Sequence, residues 1–227
     1  MKHIFSFFDN EQKCIQAILD LHNGGQPIDL DPMFNKGMFY KHTVERPRYC
    51  FDLNADAQGY DAVQGDALCL PLEDESVTCM ILDPPFMFGA HGQTKNSRIT
   101  KRYTMFNSFK ELKECYIGIL KEAYRLLKNN GVLIFKCQDY TDGKTTMTHC
   151  LVWLWAVREG FYAKDIAILN LPKVKIYNGN LVQRHLRKTH CYFWVFKKSR
   201  GDTNTNAEIS ANCTDTSANT MSKGVKL

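Results

Sequence analysis

The sequence predicts an α/β fold with a mostly parallel, doubly wound sheet of seven strands. Short apolar runs rich in β-favouring residues alternate with longer segments whose apolar residues recur at helical spacing, an order typical of parallel sheets with helices on both faces. Acidic residues directly follow several of these runs, at the sheet edge where such folds bind ligands. With 227 residues and 44% hydrophobic composition, the chain is long enough for one well-filled core.

The first predicted element is a helix over residues 10–22, with Asp9 or Asn10 as a suitable N-cap and two glycines at its end. A turn and a helix start are predicted over residues 32–40. Three short strands belong to this half of the chain, at residues 27–31, 48–52 and 62–66.

The second half carries the clearest helical pattern, over residues 109–129, where apolar side chains occupy one face and Lys128-Asn-Asn-Gly131 supplies the stop. Another helix is predicted over residues 146–159, closed by Gly160. Four strands are predicted in this half, at residues 77–82, 132–136, 162–169 and 192–196. The last of them follows a connection too irregular for a crossover helix.

Residues 1–198 are predicted to form one domain. Residues 199–227 are rich in Thr, Asn and Ser and almost free of apolar side chains, which indicates a disordered polar tail. No apolar run approaches the ~20 residues of a membrane span, and we expect no signal peptide. The nine cysteines form no C-x-x-C pair, so we expect free thiols, no metal site and a reducing cytoplasm.

Two segments concentrate the positive charge. The net charge is +5, yet residues 87–110 carry five basic residues and residues 170–198 carry seven, with no acid in either. Such segments on an otherwise acidic body suggest a face that binds a polyanion, although basic loops can also simply be solvated. The residues that we assign to nucleic-acid contacts from loops 87–110 and 170–190 are Lys95, Arg98, Lys101, Arg102, Arg184, Arg187 and Lys188.

The most informative motif is Asp83-Pro84-Pro85-Phe86, directly after a predicted buried strand. It suits a planar ring that bears an exocyclic amine, because Asp83 and the Pro84 carbonyl can each accept a hydrogen bond from the amine. The prolines stiffen the loop, and Phe86 offers a face on which a base can stack. The structural alternative is a strand-ending turn with a chance aromatic residue.

With this motif the chain resembles the S-adenosylmethionine-dependent amino-methyltransferases of nucleic acids, whose signature is (D/N/S)PP(Y/F/W), in a single-domain form similar to phage and prophage members. The resemblance covers about residues 10–198. It implies the Rossmann-like class I methyltransferase fold, with the last strand inserted antiparallel between the strands at 132–136 and 162–169. It also implies S-adenosylmethionine as cofactor.

The turn after the first predicted strand reads Asp29-Leu-Asp31-Pro32-Met-Phe-Asn35-Lys-Gly37, at the place where a nucleotide-like ligand meets such a sheet. It is similar to the family's Asp-Pro-x-x-Gly-x-Gly cofactor turn, with Asn35 at the first glycine position. Asparagine adopts left-handed backbone more readily than other non-glycine residues, so we expect the turn to form. The resemblance assigns Asp29, Asp31, Pro32, Asn35 and Gly37 to the cofactor site.

Two further acids extend the predicted cofactor site. Asp52 ends the second strand, where an acidic side chain conventionally accepts the ribose hydroxyls of a nucleotide. The resemblance implies that Asp66 and Ala67 contact the adenine of the cofactor. Each acid alone could be a solvated strand end, but acids at the ends of four successive strands form a joint pattern that this alternative explains poorly.

The function implied is methyl transfer to an exocyclic amine of a nucleic-acid base, with adenine N6 in DNA as first choice, because Asp at the first motif position is typical of adenine enzymes. We expect a monomer that acts on DNA. An RNA methyltransferase, for example on guanine N2, and a nucleic-acid-binding protein with a decayed cofactor site remain open. The basic segments disfavour a small-molecule methyltransferase.

The histidines are candidates for a different kind of site, with acid–base or metal-binding residues. His149 and His190 stand near the ends of a predicted helix and a predicted strand, without metal-binding spacing. We place Lys136, Gln138 and Asp139 on the far side of the cleft.

Overall fold

The computed structural model describes residues 3–89, 106–171 and 184–199. The predicted nucleic-acid contacts Lys95, Arg98, Lys101 and Arg102 lie outside these ranges, and so does the predicted tail from residue 200 onward.

The described residues form ten strands, four α-helices and one short 3-10 helix. The strands are β1 (Phe7–Phe8), β2 (Leu30–Asp31), β3 (Tyr49–Asp52), β4 (Val63–Gln64), β5 (Val77–Leu82), β6 (Leu127–Cys137), β7 (Tyr140–Asp142), β8 (Lys144–Thr146), β9 (Phe161–Asn170) and β10 (His190–Lys198). The helices are α1 (Glu11–His22), α2 (Ala55–Gln58), α3 (Phe109–Leu126) and α4 (Thr148–Arg158), with the 3-10 helix at Met38–Tyr40.

The main sheet has the order β1-β9-β10-β6-β5-β2-β3-β4. Every pairing is parallel except those of β10, which lies antiparallel between β6 and β9. This confirms the class I methyltransferase architecture and the antiparallel last strand. The sheet has eight strands where we predicted seven. The additional strand β1 pairs two residues with Ile168 and Leu169 at the sheet edge, too few residues for an alternating pattern to show in the sequence.

Several elements differ from the sequence predictions, and three of the differences lie near the motifs. Helix α3 ends at Leu126, whereas the prediction extended it to residue 129. Strand β6 follows directly. Residues 128–131 form a bulge in it, since Leu127 pairs with Val77 of β5 and Val132 already pairs with Cys79. The helix start predicted over 32–40 is a turn followed by the 3-10 helix. A hairpin of β7 and β8, which we did not predict, turns at Gly143 with a φ of 68°.

Apolar side chains fill both faces of the sheet, as a doubly wound fold requires. Within β5 the buried Met80 and Leu82 pack with α3 and α4 in one core layer, whereas Cys79 and Ile81 pack with α1 in the other. Helix α1 begins at Asn10, whose side chain accepts a hydrogen bond from the amide of Lys13. Among the described residues, no helix is long and apolar enough to cross a membrane.

Candidate functional site

Four acidic residues follow one another along the carboxyl edge of the sheet. Because β5, β2, β3 and β4 are adjacent and parallel, the edge presents Asp83, Asp31, Asp52 and Asp66 in that order. The chain winds from β2 toward β4 in one direction and from β5 toward β6 in the other, so Asp31 and Asp83 flank the point where the strand order reverses. Ligands of open α/β sheets bind in the crevice at this point. The structure therefore brings together the acids that the sequence predicted.

Asp83 lies at the end of β5 and makes an ion pair with Lys136 of β6, with 2.9 Å between Lys136 Nζ and Asp83 Oδ2. Lys136 Nζ also lies 2.9 Å from Glu11 Oε1 on α1. Burial lowers the pKa of Lys136, but the carboxylates of Asp83 and Glu11 outweigh it and raise this pKa above its ordinary value. Lys136 is thus a charged partner of Asp83, whereas the sequence predicts a residue of the far cleft wall.

The prolines after Asp83 are anchored by burial and by a hydrogen bond from α3. Pro84 is buried, and the Pro85 carbonyl accepts a hydrogen bond of 3.0 Å from the hydroxyl of Tyr116 on α3. Phe86 is partly exposed. The loop is therefore anchored to α3 next to a partly exposed aromatic residue.

Asp31 is almost completely buried, with 2% of its surface exposed. Its carboxylate accepts a 2.6 Å hydrogen bond from the Tyr40 hydroxyl and a 2.9 Å bond from the Met33 amide. Burial nevertheless raises the pKa of Asp31 to about 7, with smaller contributions from Asp83 and Asp52. The carboxylate is therefore poised between its charged and neutral forms near neutral pH.

The turn from Asp31 to Gly37 has the left-handed conformations that we expected. Asn35 has a φ of 48° and Gly37 a φ of 59°. A β-carbon at Gly37 would lie 2.6 Å from Cζ of Phe34, so a side chain there would push that ring away. The amide of Asn35 donates a 2.9 Å hydrogen bond to Oδ2 of Asp52. Asparagine at the first glycine position therefore supports the turn geometry.

The other predicted cofactor residues fall into two groups. Asp52 also accepts a hydrogen bond from the Asn54 amide, and the exposed Asp66 accepts one from Leu68, next to the half-buried Ala67. Asp29, in contrast, points its carboxylate at the amides of Thr78 and Cys79 near the start of β5. Asp29 thereby joins β2 to β5 and lies away from the carboxyl edge; Pro32 is buried within the turn.

The wall beyond β6 contains the predicted Gln138 and Asp139. The buried Asp139 accepts a 2.7 Å hydrogen bond from Nδ1 of His149, whose ring stacks on Tyr192 with 4.2 Å between centroids. Gln138 donates a hydrogen bond to the carbonyl of Lys188. Within the described ranges no cluster of His, Cys, Asp and Glu could hold a metal ion.

Both basic segments reach the carboxyl edge, although the last residues of 170–198 belong to β10 and extend to the opposite edge. Residues 184–189 precede β10, which runs antiparallel and so starts at that edge, with Arg184 and Arg187 exposed and Lys188 half-buried. The other segment is closed at its base, because Gly89 and Phe106 are joined by a backbone hydrogen bond of 3.0 Å.

Sequence reasoning missed three residues of this site, Glu11, Tyr40 and Tyr116, and it missed the pairing role of Lys136. Tyr116 occupies the apolar face of α3, so its spacing indicated only core packing. A charged residue such as Lys136 near the end of an otherwise apolar strand was the one available signal, since buried lysine requires a partner.

Comparison with known proteins gives a family for the chain. A family model described as DNA methylase matches residues 77–224, which is more than half of the sequence. The chain belongs to the DNA methylase family. This family uses S-adenosylmethionine. No curated protein matches the chain significantly.

Solved structures resemble the DNA methylase chain only distantly. A candidate DNA modification methylase of Thermus thermophilus has 17% identity and a TM-score of 0.42, with 60% of this chain and 52% of that protein covered. TrmN of the same organism has 16% identity and a TM-score of 0.44, with 82% and 48% covered. A 1,6-didemethyltoxoflavin-N1-methyltransferase of Burkholderia thailandensis has 13% identity and a TM-score of 0.47, with 84% and 79% covered. The chain thus spans about half the length of the Thermus methylase.

The acidic edge fits S-adenosylmethionine by the chemistry of its hydrogen-bonding groups. The ammonium, the ribose hydroxyls and the adenine amine of the cofactor are all donors, and Asp31, Asp52 and Asp66 are acceptors at three neighbouring strand ends. The left-handed turn at Asn35 and Gly37 follows Asp31 directly, and Gly37 leaves room for the ring of Phe34. These residues would hold the cofactor of the family.

Replacing Asp52 by alanine is expected to weaken S-adenosylmethionine binding roughly 10- to 100-fold, the effect of losing a hydrogen bond to a charged group. Turnover at saturating cofactor should change much less, because Asp83 remains in place. Isothermal titration measures the affinity. Asp61→Ala, which removes an exposed carboxylate paired with Arg46, is the matched control. Unchanged affinity in the Asp52→Ala variant would remove Asp52 from the cofactor site.

The raised pKa of Asp31 predicts a pH-dependent stability. The folded protein holds this proton more tightly than the unfolded chain, so the stabilising contribution is complete below pH ~4 and is lost as the pH rises through about 7. Between pH 5.5 and 8.5 the Asp31→Asn variant should gain about 2 kcal/mol in free energy of unfolding relative to the wild type. Urea unfolding measures this difference. Asp56→Asn, in the exposed part of α2, should show none, and a pH-independent difference for Asp31→Asn would contradict the raised pKa.

Proposed function

We propose that this DNA methylase chain transfers a methyl group from S-adenosylmethionine to an exocyclic amine of a nucleic-acid base, and that the base is adenine in DNA, methylated at N6. The observation that carries the proposal is the position of Asp83. Its carboxylate stands beside Asp31 at the point where the strand order reverses, and the fixed loop of Pro84, Pro85 and Phe86 follows it.

The motif residues would act on the amine. Asp83 accepts a hydrogen bond from one N–H of the amine and the Pro84 carbonyl accepts one from the other, which favours a tetrahedral nitrogen whose localised lone pair attacks the methyl carbon in line with the breaking bond to sulfur. S-adenosylmethionine, when bound, supplies this methyl group on a positively charged sulfur. The surplus proton on the methylated nitrogen leaves to water. Phe86 stacks on the base and holds its ring in the plane of the two acceptors.

The base must leave the duplex to reach these groups. The side chain of Asp83 is only 32% exposed, and the amine of a paired and stacked base is buried in the duplex, so the proposal requires base flipping. The basic residues Arg184, Arg187 and Lys188 stand on the same edge of the sheet and are suited to contact the phosphates on either side of the extruded nucleotide.

Adenine is preferred over cytosine because the first motif position is Asp83, and the family resemblance associates aspartate there with adenine. Target choice would come from loops 87–110 and 170–190, within a catalytic domain formed by residues 1–198. Short loops of this kind favour a short target sequence.

The deciding experiment is a tritiated-methyl transfer assay on unmethylated DNA, total RNA and protein, followed by mass spectrometry of the nucleosides. N6-methyladenosine in the DNA supports the proposal. N4-methylcytosine would correct the base, and N2-methylguanosine in RNA would correct the substrate. Cofactor binding by calorimetry without transfer to any of them would contradict methyl transfer to nucleic acid, and nucleic-acid binding without cofactor binding would indicate a decayed cofactor site.

A further inference from the structure

Three charged side chains from three different elements meet beside the motif. Lys136 of β6 stands between Asp83 at the end of β5 and Glu11 in the first turn of α1, with 2.9 Å from its Nζ to one oxygen of each carboxylate. The side chains of Lys136, Asp83 and Glu11 are 20%, 32% and 27% exposed, respectively. The Lys136 ammonium also lies 5.0 Å from the centre of the Phe39 ring. The lysine is therefore held on several sides and has little freedom to leave Asp83.

The contact uses only one of the two oxygens of Asp83. Lys136 Nζ bonds to Oδ2, and an ionised carboxylate has acceptor sites on both oxygens. Oδ1 thus remains for a second donor. A carboxylate tethered through one oxygen cannot rotate freely about its terminal bond, so the direction of the other oxygen is set by the protein.

The charge state of Asp83 depends on the groups that face it. These groups come from β2, β6, β10, α1 and α3, and they are Asp31, Lys136, Cys137, Cys191, Glu11 and Tyr116. Burial raises the pKa of Cys191 to about 11 and those of Cys137 and Tyr116 well above their ordinary values, so these three are neutral near pH 7. Among the described residues that face Asp83, Lys136 is therefore the one cation, opposed by Glu11 and Asp31.

We propose that Lys136 is a positioning residue for Asp83. It binds Oδ2, keeps the carboxylate ionised and directs Oδ1 toward the target amine. Glu11 orients the lysine and weakens the attraction between the lysine and Asp83. This inference rests on the proposed function for the role of Oδ1. Without the lysine, Asp83 would sit near two other carboxylates in a half-buried site and would take up a proton at higher pH. A protonated Asp83 would then present an O–H to the amine, which is the wrong polarity for an acceptor.

The two partners of Lys136 make opposite predictions for the titration of Asp83. Lys136→Met removes the cation and keeps the length of the side chain, so the Asp83 carboxyl signal should titrate at higher pH than in the wild type. Glu11→Gln removes the competing carboxylate and leaves the lysine to Asp83 alone, so the same signal should titrate at lower pH. Both substitutions break the same cluster, so a purely structural disturbance would not shift the pKa in opposite directions.

The experiment follows the side-chain carboxyl of Asp83 by NMR in protein labelled with ¹³C-aspartate, with the resonance assigned by its loss in Asp83→Asn. The acidic limb of the kcat/KM profile is recorded on the same variants and should move with the NMR titration. Lys136→Arg, which retains the charge, should titrate as the wild type does. Glu114→Gln, an exposed carboxylate on α3 paired with Lys110, is the matched control and should shift neither measurement.

The outcomes separate this inference from the proposed function. A wild-type protein that transfers no methyl group contradicts the proposed function, but the NMR titration still tests the control of Asp83 by Lys136. An Asp83 titration that Lys136→Met leaves unchanged overturns the inference even if methyl transfer to DNA is found. A shift in the same direction for Lys136→Met and Glu11→Gln also overturns it, because it would mark a structural disturbance. If Lys136→Met fails to fold, Glu11→Gln and Lys136→Arg still test the predicted direction and the rescue.

Discussion

Replacing Asp83 by alanine is expected to lower kcat for methyl transfer about 10²- to 10⁴-fold, the usual contribution of a positioned acceptor that acts on the reacting group. The reason lies in its position: Asp83 follows β5 at the carboxyl edge, and Oδ1, the oxygen that Lys136 does not bind, is the acceptor proposed for the target amine. Binding of S-adenosylmethionine should stay nearly unchanged, because the predicted cofactor residues Asp31, Asp52 and Asp66 belong to other strands.

Single-turnover transfer at saturating cofactor measures the effect. Asp83→Asn keeps one carbonyl acceptor and should retain more activity than Asp83→Ala, which separates the loss of the acceptor from the loss of charge. Asp20→Ala, an exposed carboxylate near the end of α1, is the matched control. If Asp83→Ala kept more than about a tenth of the wild-type kcat, a loss of under ~1.4 kcal/mol of barrier, Asp83 could not be the residue that accepts the hydrogen bond of the target amine.

The second large effect is expected in the salt dependence of nucleic-acid binding. If the loops 87–110 and 170–198 contact phosphates, raising the salt from ~50 to ~200 mM should weaken binding about 10³- to 10⁵-fold for 6–10 contacts. The structure adds a reason to expect that both segments contact the same nucleic acid, because each of them starts or ends at the carboxyl edge that carries Asp83. Fluorescence anisotropy with a labelled duplex measures the log–log slope.

Replacing Arg98, Lys101 and Arg102 together by alanine should flatten this slope by up to about three units, at roughly 0.9 per phosphate on duplex DNA. Affinity for S-adenosylmethionine should not change. The matched control replaces Lys121, Lys128 and Lys164, three exposed lysines toward the opposite edge of the sheet, and should leave the slope unaltered. A flat salt response of the wild type would favour a small-molecule substrate instead.

Much of the fold could be predicted because its signals are local. The apolar run at 77–82, the helical spacing after Phe109 and the glycines after α1 each lie within a few residues of the feature that they specify. Short pairings escaped prediction for the same reason. Strand β1 adds two residues to the main sheet, and the separate hairpin of β7 and β8 has three residues in each strand, which is shorter than the four to eight residues over which an alternating pattern can be recognised.

The site residues also divide into those that a local pattern predicts and those that depend on strand pairing. Asp83, Asp52 and Asp31 were predictable because each ends a strand, and a parallel sheet presents its strand ends on one edge. Asp29 also follows this pattern in the sequence, yet its carboxylate bonds to the amides of Thr78 and Cys79. An acid two residues before the strand end points to a different neighbour, and only the pairing of β2 with β5 shows which one.

The sequence by itself determined the residue types at the strand ends, the alternation of strands and helices, and the two basic segments. The tertiary structure alone decided which side chains complete the site: Lys136 bonds to Asp83 across 53 positions, Tyr116 to Pro85 across 31, and Tyr40 to Asp31 across 9. The physical reason is that periodicity describes how a segment faces the core, whereas a contact between distant segments depends on strand order and register. The insertion of β10 beside β6, and of β5 between β6 and β2, sets that order, and no local pattern encodes it.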